Sequence, residues 1–195
     1  RFPELLVHGV AGDFGSDLGT IPAAAGRRLV AFLGGTIGNL EPAERSTFLQ
    51  DLGTLLEPSD LLLIGTDLAG DPGRIEPAYD DAQGVTAEFN LNLLHRINAE
   101  LGADFDPEGF AHVARYLPER GWVEMRLRSL RDQSVEIPAL PLRVDFAAGE
   151  EMRTEISCKF THEEVREMYE TSGFLLREWF TDERGWYALS LAEKV

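Results

Sequence analysis

Three apolar runs mark the first third of the chain. Residues 5–10 end in Ala11-Gly12-Asp13-Phe14, residues 29–33 stop at Gly34-Gly35, and residues 61–64 close on Gly65-Thr66-Asp67. Unbroken runs of this length suit parallel strands covered on both faces. Between the second and third, Pro42 marks a first helical turn, and Phe48, Leu49, Leu52, Leu55 and Leu56 fall on one side. Strand, helix and strand in this order make a βαβ unit and an α/β fold.

The pattern then changes. Residues 85–101 read as a helix, with Val85, Phe89, Leu93, Ile97 and Leu101 at every fourth position and Gly102 placed to cap it. Four segments rich in β-formers follow, at 110–117, 122–130, 142–146 and 152–160; they read as antiparallel hairpins and a second, α+β lobe. Thr161 and Glu164 then form a capping box, with Phe160 and Val165 placed as a staple, on a helix that stops at Gly173. Residues 174–180 and 186–191 close the chain as a hairpin. The expected division is 1–69 with 160–195 as one domain and 70–159 as an insertion. A doubly wound domain opens with a strand and a glycine-rich turn. This chain starts at Arg1-Phe2-Pro3, so the opening βαβ half is expected to lie in a longer protein.

Composition narrows the function. With 44% apolar and 27% charged residues the chain is globular. Its net charge, 34 acids minus 18 bases or −16, disfavours nucleic acid and anionic membranes, and no Lys/Arg cluster suggests a basic groove. No apolar run approaches the roughly 20 residues of a membrane helix. No secretory leader is visible, and the single Cys158 fits a reducing, cytoplasmic setting. The four histidines lack metal-ligand spacing, so no metal is expected.

Four groups of residues could carry chemistry. Gly34-Gly35-Thr36-Ile37-Gly38-Asn39 follows a strand, where α/β sheets bind ligands, and the Asn39 amide suits a zwitterion; a plain glycine turn is the alternative. Asp13-Phe14 could meet an adenine amino group and flank, or be an ordinary Asp turn with a core Phe. Glu155 and Ser157 share one strand face and could take the two nitrogens of an imidazole, with Met125 as an apolar wall; a solvated face with a core methionine is the alternative. Tyr79 precedes a helix and could orient an amine, or be an exposed loop tyrosine.

Taken in order, several segments form a signature. They are Phe32-Leu33-Gly34-Gly35-Thr36-Ile37-Gly38-Asn39-Leu40, Gly65-Thr66-Asp67-Leu68, and Tyr79-Asp80-Asp81-Ala82 with Gly84-Val85-Thr86-Ala87-Glu88-Phe89-Asn90. Trp122-Val123-Glu124-Met125-Arg126-Leu127 and Arg153-Thr154-Glu155-Ile156-Ser157 with Lys159-Phe160 complete it. Together they resemble the S-adenosylmethionine-dependent L-histidine Nα-methyltransferases of ergothioneine biosynthesis, along essentially the whole chain. The resemblance implies a Rossmann-like methyltransferase domain, a separate substrate-binding domain, S-adenosyl-L-methionine as co-substrate, and trimethylation of histidine to hercynine. It implies that Asn39 and Tyr79 hold the amino-acid end, with Gly34 lining the pocket. Glu155 and Ser157 hold the imidazole and Met125 packs on it. Asp13 and Phe14 meet the adenine, and Thr36, Thr86 and Phe89 shape the space near the amine. L-histidine and its methylated forms would be the partners, and the full-length protein would be monomeric. Gly35 departs from the serine common in relatives. The glycine-rich cofactor loop, the ribose-binding acid and an N-terminal substrate tyrosine have no counterpart in these residues. The isolated chain is therefore expected to keep much of the histidine pocket but only part of the cofactor site, and to be inactive unless the missing half is supplied. Methylation of another amino acid or small amine, and non-catalytic amino-acid binding by the chain as given, are the competing readings.

Overall fold

The computed structural model describes residues 4–22 and 26–195; Arg1-Phe2-Pro3, the opening noted above, lies outside them. In chain order the first elements are β1 (Leu29–Phe32), α1 (Pro42–Leu55), β2 (Leu61–Asp67), α2 (Pro72–Ile75) and α3 (Val85–Leu101). Then come β3 (Phe110–Leu117), β4 (Trp122–Ser129), β5 (Gln133–Ile137), β6 (Leu142–Phe146) and β7 (Glu151–Cys158). The chain ends with α4 (His162–Thr171), β8 (Phe174–Thr181) and β9 (Tyr187–Lys194). Contacts divide the chain into two compact units, Arg1–Thr66 with Thr161–Val195, and Asp67–Phe160.

The first unit is an α/β arrangement with a mixed sheet. Its sheet runs β1-β2-β9-β8, with β1 parallel to β2 and the β8–β9 hairpin antiparallel. Phe48, Leu49 and Leu52 of α1 are buried, as are Leu62 and Ile64 of β2. Tyr169 of α4 is fully buried and donates to the Ser190 carbonyl at 3.0 Å, while Ser190 Oγ donates to the Ile64 carbonyl at 3.2 Å. The α4 cap forms as the sequence implies: Thr161 and Glu164 each satisfy the other's backbone N–H.

Two expectations for this unit fail. Residues 5–10 form no strand, and Leu5, Leu6, Val7 and Val10 are exposed. An apolar run becomes a strand only where a ladder partner is available, and this segment pairs with none of the described strands. Coverage of β1 on both faces also fails among the described residues, since Leu29 and Ala31 are exposed while Val30 and Phe32, on the other face, are half-buried.

The second unit packs α3 on one face of an antiparallel β3-β4-β7 sheet, with the β5–β6 hairpin completing the core. Leu94, Phe105, Phe110, Leu127, Val135, Ile137 and Phe146 form that core. The helix ends as the sequence implies, on Gly102 at φ 67°. Its buried side differs: Asn90 and Leu94 are inside, while Val85, Phe89 and Leu93 are exposed. A strict four-residue repeat drifts by about 40° per step on a helix of 3.6 residues per turn. It therefore cannot keep one face from Val85 to Leu101. The other face of the sheet gathers Arg115, Arg126, Arg128 and Arg153 around Glu124 and Glu151, a cluster the linear sequence conceals.

Candidate functional site

Two sets of residues carry chemistry, one in each unit. In the first unit, β1 runs into Gly34 and Gly35, both left-handed at φ 84° and 73°, and the chain enters a short 3₁₀ turn, Thr36–Asn39. Two successive residues of this kind strongly favour glycine. Ile37 and Gly38 are buried and anchor the turn, whereas Thr36 is half-buried and Asn39 exposed.

The phenol of Tyr187, at the start of β9, closes this corner. Its hydroxyl lies 3.3 Å from the Gly34 N–H, and a Cβ on Gly65 would stand 1.8 Å from the same oxygen. Gly65 is therefore a glycine because an aromatic hydroxyl occupies its side-chain space. The sequence reading missed Tyr187, since nothing near it in sequence points to β1 or β2.

Asp13 and Phe14 line a shallow pocket of about 160 Å³ with Val10, Gly12, Asp17 and Ile21. Phe14 packs edge-on against Phe32 and Phe48, with centroids at 5.3 and 5.8 Å, yet remains 44% exposed. The Asp13 carboxylate accepts the Gly15 N–H at 2.6 Å, so the ordinary Asp turn is present too. An acidic edge beside an aromatic flank fits an aminopurine. The volume falls well below the roughly 300 Å³ of small whole-ligand pockets.

In the second unit the chemistry lies on the α3-facing side of the sheet. Met125 pairs with Glu155 and Val123 with Ser157 across β4 and β7, so all four share that face. Thr154 is the extra residue of a bulge next to Glu155, and its hydroxyl donates to the Met125 carbonyl at 3.0 Å. Bulges of this kind re-aim neighbouring side chains. Met125 is buried and Glu155 half-buried. Burial pushes the Glu155 carboxyl above the usual range, and the Lys159 charge opposes the rise.

Tyr79 joins the same face, its hydroxyl 2.7 Å from Ser157 Oγ. His112 Nε2 donates to the Tyr79 carbonyl at 2.8 Å, and its Nδ1 accepts from Asn90 Nδ2 at 2.9 Å. Asn90 Nδ2 also donates to the Arg126 carbonyl, which fixes the amide orientation and hence the tautomer. Asp81 accepts the first free helix N–H groups, Val85 at 3.1 Å and Thr86 at 2.8 Å. These bonds hold its carboxyl at about 2. Thr86 is half-buried, and Phe89 is 64% exposed.

Lys159 was also missed. Its ammonium, almost fully buried, donates to Asp67 Oδ2 at 2.7 Å, Tyr79 Oη at 2.6 Å and Ser157 Oγ at 2.9 Å. The signal was there: 155, 157 and 159 continue one alternation. Among the described residues no group of three or more His, Cys, Asp or Glu could hold a metal, and no helix is long and apolar enough to cross a membrane.

Residues 1–194 match the family described as histidine-specific methyltransferase, SAM-dependent. The chain belongs to that family. As a histidine-specific methyltransferase family member it is 52% identical over 192 residues to the histidine N-alpha-methyltransferase of Mycolicibacterium smegmatis, covering 98% of this chain and 60% of that protein. It is 50% identical over 194 residues to the protein of the same name from Mycobacterium tuberculosis, covering 100% of this chain and again 60% of the relative. Ergothioneine biosynthesis protein 1 of Neurospora crassa is 29% identical over 208 residues, or 97% of this chain and 22% of that protein. The chain therefore spans about three-fifths of the length of its two bacterial relatives.

Proposed function

We propose that this histidine-specific methyltransferase chain belongs to an enzyme that trimethylates the α-amino group of L-histidine to hercynine, a step of ergothioneine biosynthesis. The observation that carries the reading is the second unit's polar sheet face. There a half-buried carboxylate, a buried hydroxyl and a buried methionine adjoin on β4 and β7. A carboxylate and a hydroxyl on one apolar-walled face suit the N–H and the bare nitrogen of an imidazole. The names of the relatives support the same substrate.

When bound, S-adenosylmethionine supplies a sulfonium methyl that a neutral amine displaces in line with loss of the thioether. Such chemistry depends on alignment more than on a strong acid or base. Glu155 accepts the imidazole N–H, Ser157 meets the second ring nitrogen and Met125 walls the ring. Tyr79, with Asn39 and Gly34, is assigned the amino-acid end; Thr36 and Thr86 have lesser parts. Phe89, being exposed, is the weakest of the assignments. Asp13 and Phe14 are assigned the adenine end. Residues 70–159 form the substrate-binding domain, and 1–69 with 160–195 the methyltransferase part. The enzyme is taken as cytoplasmic, monomeric at full length and independent of metal, nucleic acid and membrane.

Glu155→Ala tests the reading in the genomic-length protein. A hydrogen-bonded charged partner is worth about 1.5–3 kcal/mol, so histidine affinity by calorimetry falls at least about tenfold. Unchanged affinity defeats the assignment. Labelled S-adenosylmethionine offered with a panel of amino acids should mark histidine up to the trimethyl stage; preferred labelling of another amine overturns the substrate. Methyl transfer by the 195-residue chain alone would exclude the non-catalytic reading.

A further inference from the structure

Lys159 and Lys194 are the only lysines in the chain, and Lys159 is 5% exposed. Its three N–H bonds are all placed, on Asp67, Tyr79 and Ser157. Tyr79 Oη and Ser157 Oγ are 2.7 Å apart, so one hydroxyl donates to the other. A phenol is the more acidic hydroxyl, and its oxygen, conjugated with the ring, is the poorer acceptor. Tyr79 is therefore the donor. Ser157 then accepts twice, from Lys159 and from Tyr79, and both its lone pairs are used. Its own proton is left for an acceptor outside the cluster. Two residues earlier on the same face, Glu155 offers a carboxylate acceptor.

We propose that Lys159, tethered by Asp67, is a positioning and specificity residue that fixes Ser157 as a hydrogen-bond donor. The site thereby selects rings that pair an N–H, for Glu155, with an unprotonated nitrogen, for Ser157. The inference rests on the histidine reading above and deepens it. Without Lys159, Ser157 regains a lone pair and serves as donor or acceptor, so a ring lacking the bare nitrogen is rejected less strongly. A site whose polar group is left unpaired by the wrong ligand discriminates far better than an apolar one. A merely structural Lys159 would weaken every ligand alike.

The test uses the genomic-length protein saturated with S-adenosylhomocysteine, with dissociation constants from calorimetry. The ligands are L-histidine and the two alanines bearing pyrrol-2-yl and pyrrol-3-yl rings, each of which keeps one N–H and replaces the bare nitrogen with carbon. The parent protein should prefer histidine by at least roughly tenfold. In Lys159→Met that preference should shrink about fivefold or more, and Lys159→Arg, which keeps the charge but in a planar fork, should restore only part of it. Asp67, whose side chain is 40% exposed, gives a milder variant. Asp67→Asn should move the preference in the same direction by less, and it decides the matter if Lys159→Met does not fold. An unchanged ratio in folded Lys159→Met, or in Asp67→Asn where Lys159→Met does not fold, or an equal loss for all three ligands, overturns the inference alone. A parent protein that binds S-adenosylhomocysteine but shows no preference for histidine overturns the proposed function, and this inference with it.

Discussion

At the carboxyl end of β1, Gly34 and Gly35 turn the chain in left-handed conformations, and the Tyr187 hydroxyl rests between the Gly34 N–H and the bare Cα of Gly65. On the face of β4 and β7, by contrast, the surface is made of side chains, with Lys159 joining Asp67, Tyr79 and Ser157. The first region is shaped by backbone that lacks side chains; the second by charges and hydroxyls that must each find a partner. The difference governs how each can fail. A backbone corner fails by steric intrusion, abruptly. A polar cluster fails by losing a partner, in steps.

The largest effect is expected from Gly65→Ala. Its Cβ would sit 1.8 Å from the Tyr187 hydroxyl and 2.7 Å from its ring carbon, so the ring must move. Overpacking of this kind costs about 1–3 kcal/mol, and urea unfolding should show a loss near the upper end. Tyr187→Phe in the same background removes the nearest atom and should recover part of it. An unchanged midpoint for Gly65→Ala would show that the corner yields freely and would erase the contrast between the regions.

Asp81→Ala probes the polar region where it holds α3. The Asp81 carboxyl is depressed from 3.8 to about 2 by the Thr86 and Val85 N–H groups. A depressed carboxyl contributes stability above its unfolded value, and loses it as the pH falls through the folded one. The variant should therefore melt below the parent at pH 7, and the two curves should converge as the pH approaches about 2. A gap that persists at the acid end would mean that the side chain matters through packing instead of charge.

The backbone-built corner was largely legible in the sequence. Glycines after an apolar run, followed by Asn39, announce a turn at a strand end, and β1 and α1 form where the pattern put them, while β2 runs on through Gly65 and Thr66 to Asp67. The polar cluster was legible only on its own strand. Glu155 and Ser157 share a face by alternation, but Asp67 reaches Lys159 from 92 positions away, and nothing local encodes that partnership. β5 was missed because Gln133-Ser134-Val135-Glu136-Ile137 carries only two apolar residues, both of which are buried. Residues 5–10 were over-read for the opposite reason: apolar content alone does not supply a ladder partner.

Glu155 offers the smallest and sharpest test, because its sign opposes that of Asp81 within one unit. Burial is the leading influence on its carboxyl and raises it from 4.5, with the Lys159 charge pulling the other way. A raised carboxyl favours the folded state most at pH values below the unfolded one, where it is neutral in both states. That contribution is lost as the pH rises through the folded value, since ionisation then favours the unfolded chain. Glu155→Gln never ionises. Without ligand it should match the parent near pH 4 and melt about 1–2 °C higher at pH 7.5, the scale of a fraction of a kcal/mol in a chain of this size. The same variant should bind histidine less well, so the carboxylate lowers the stability of the empty site while serving recognition. A variant that melts lower than the parent at pH 7.5 would show that attraction to Lys159 outweighs burial. Glu155 would then belong with Asp81, as a charge that stabilises the unit.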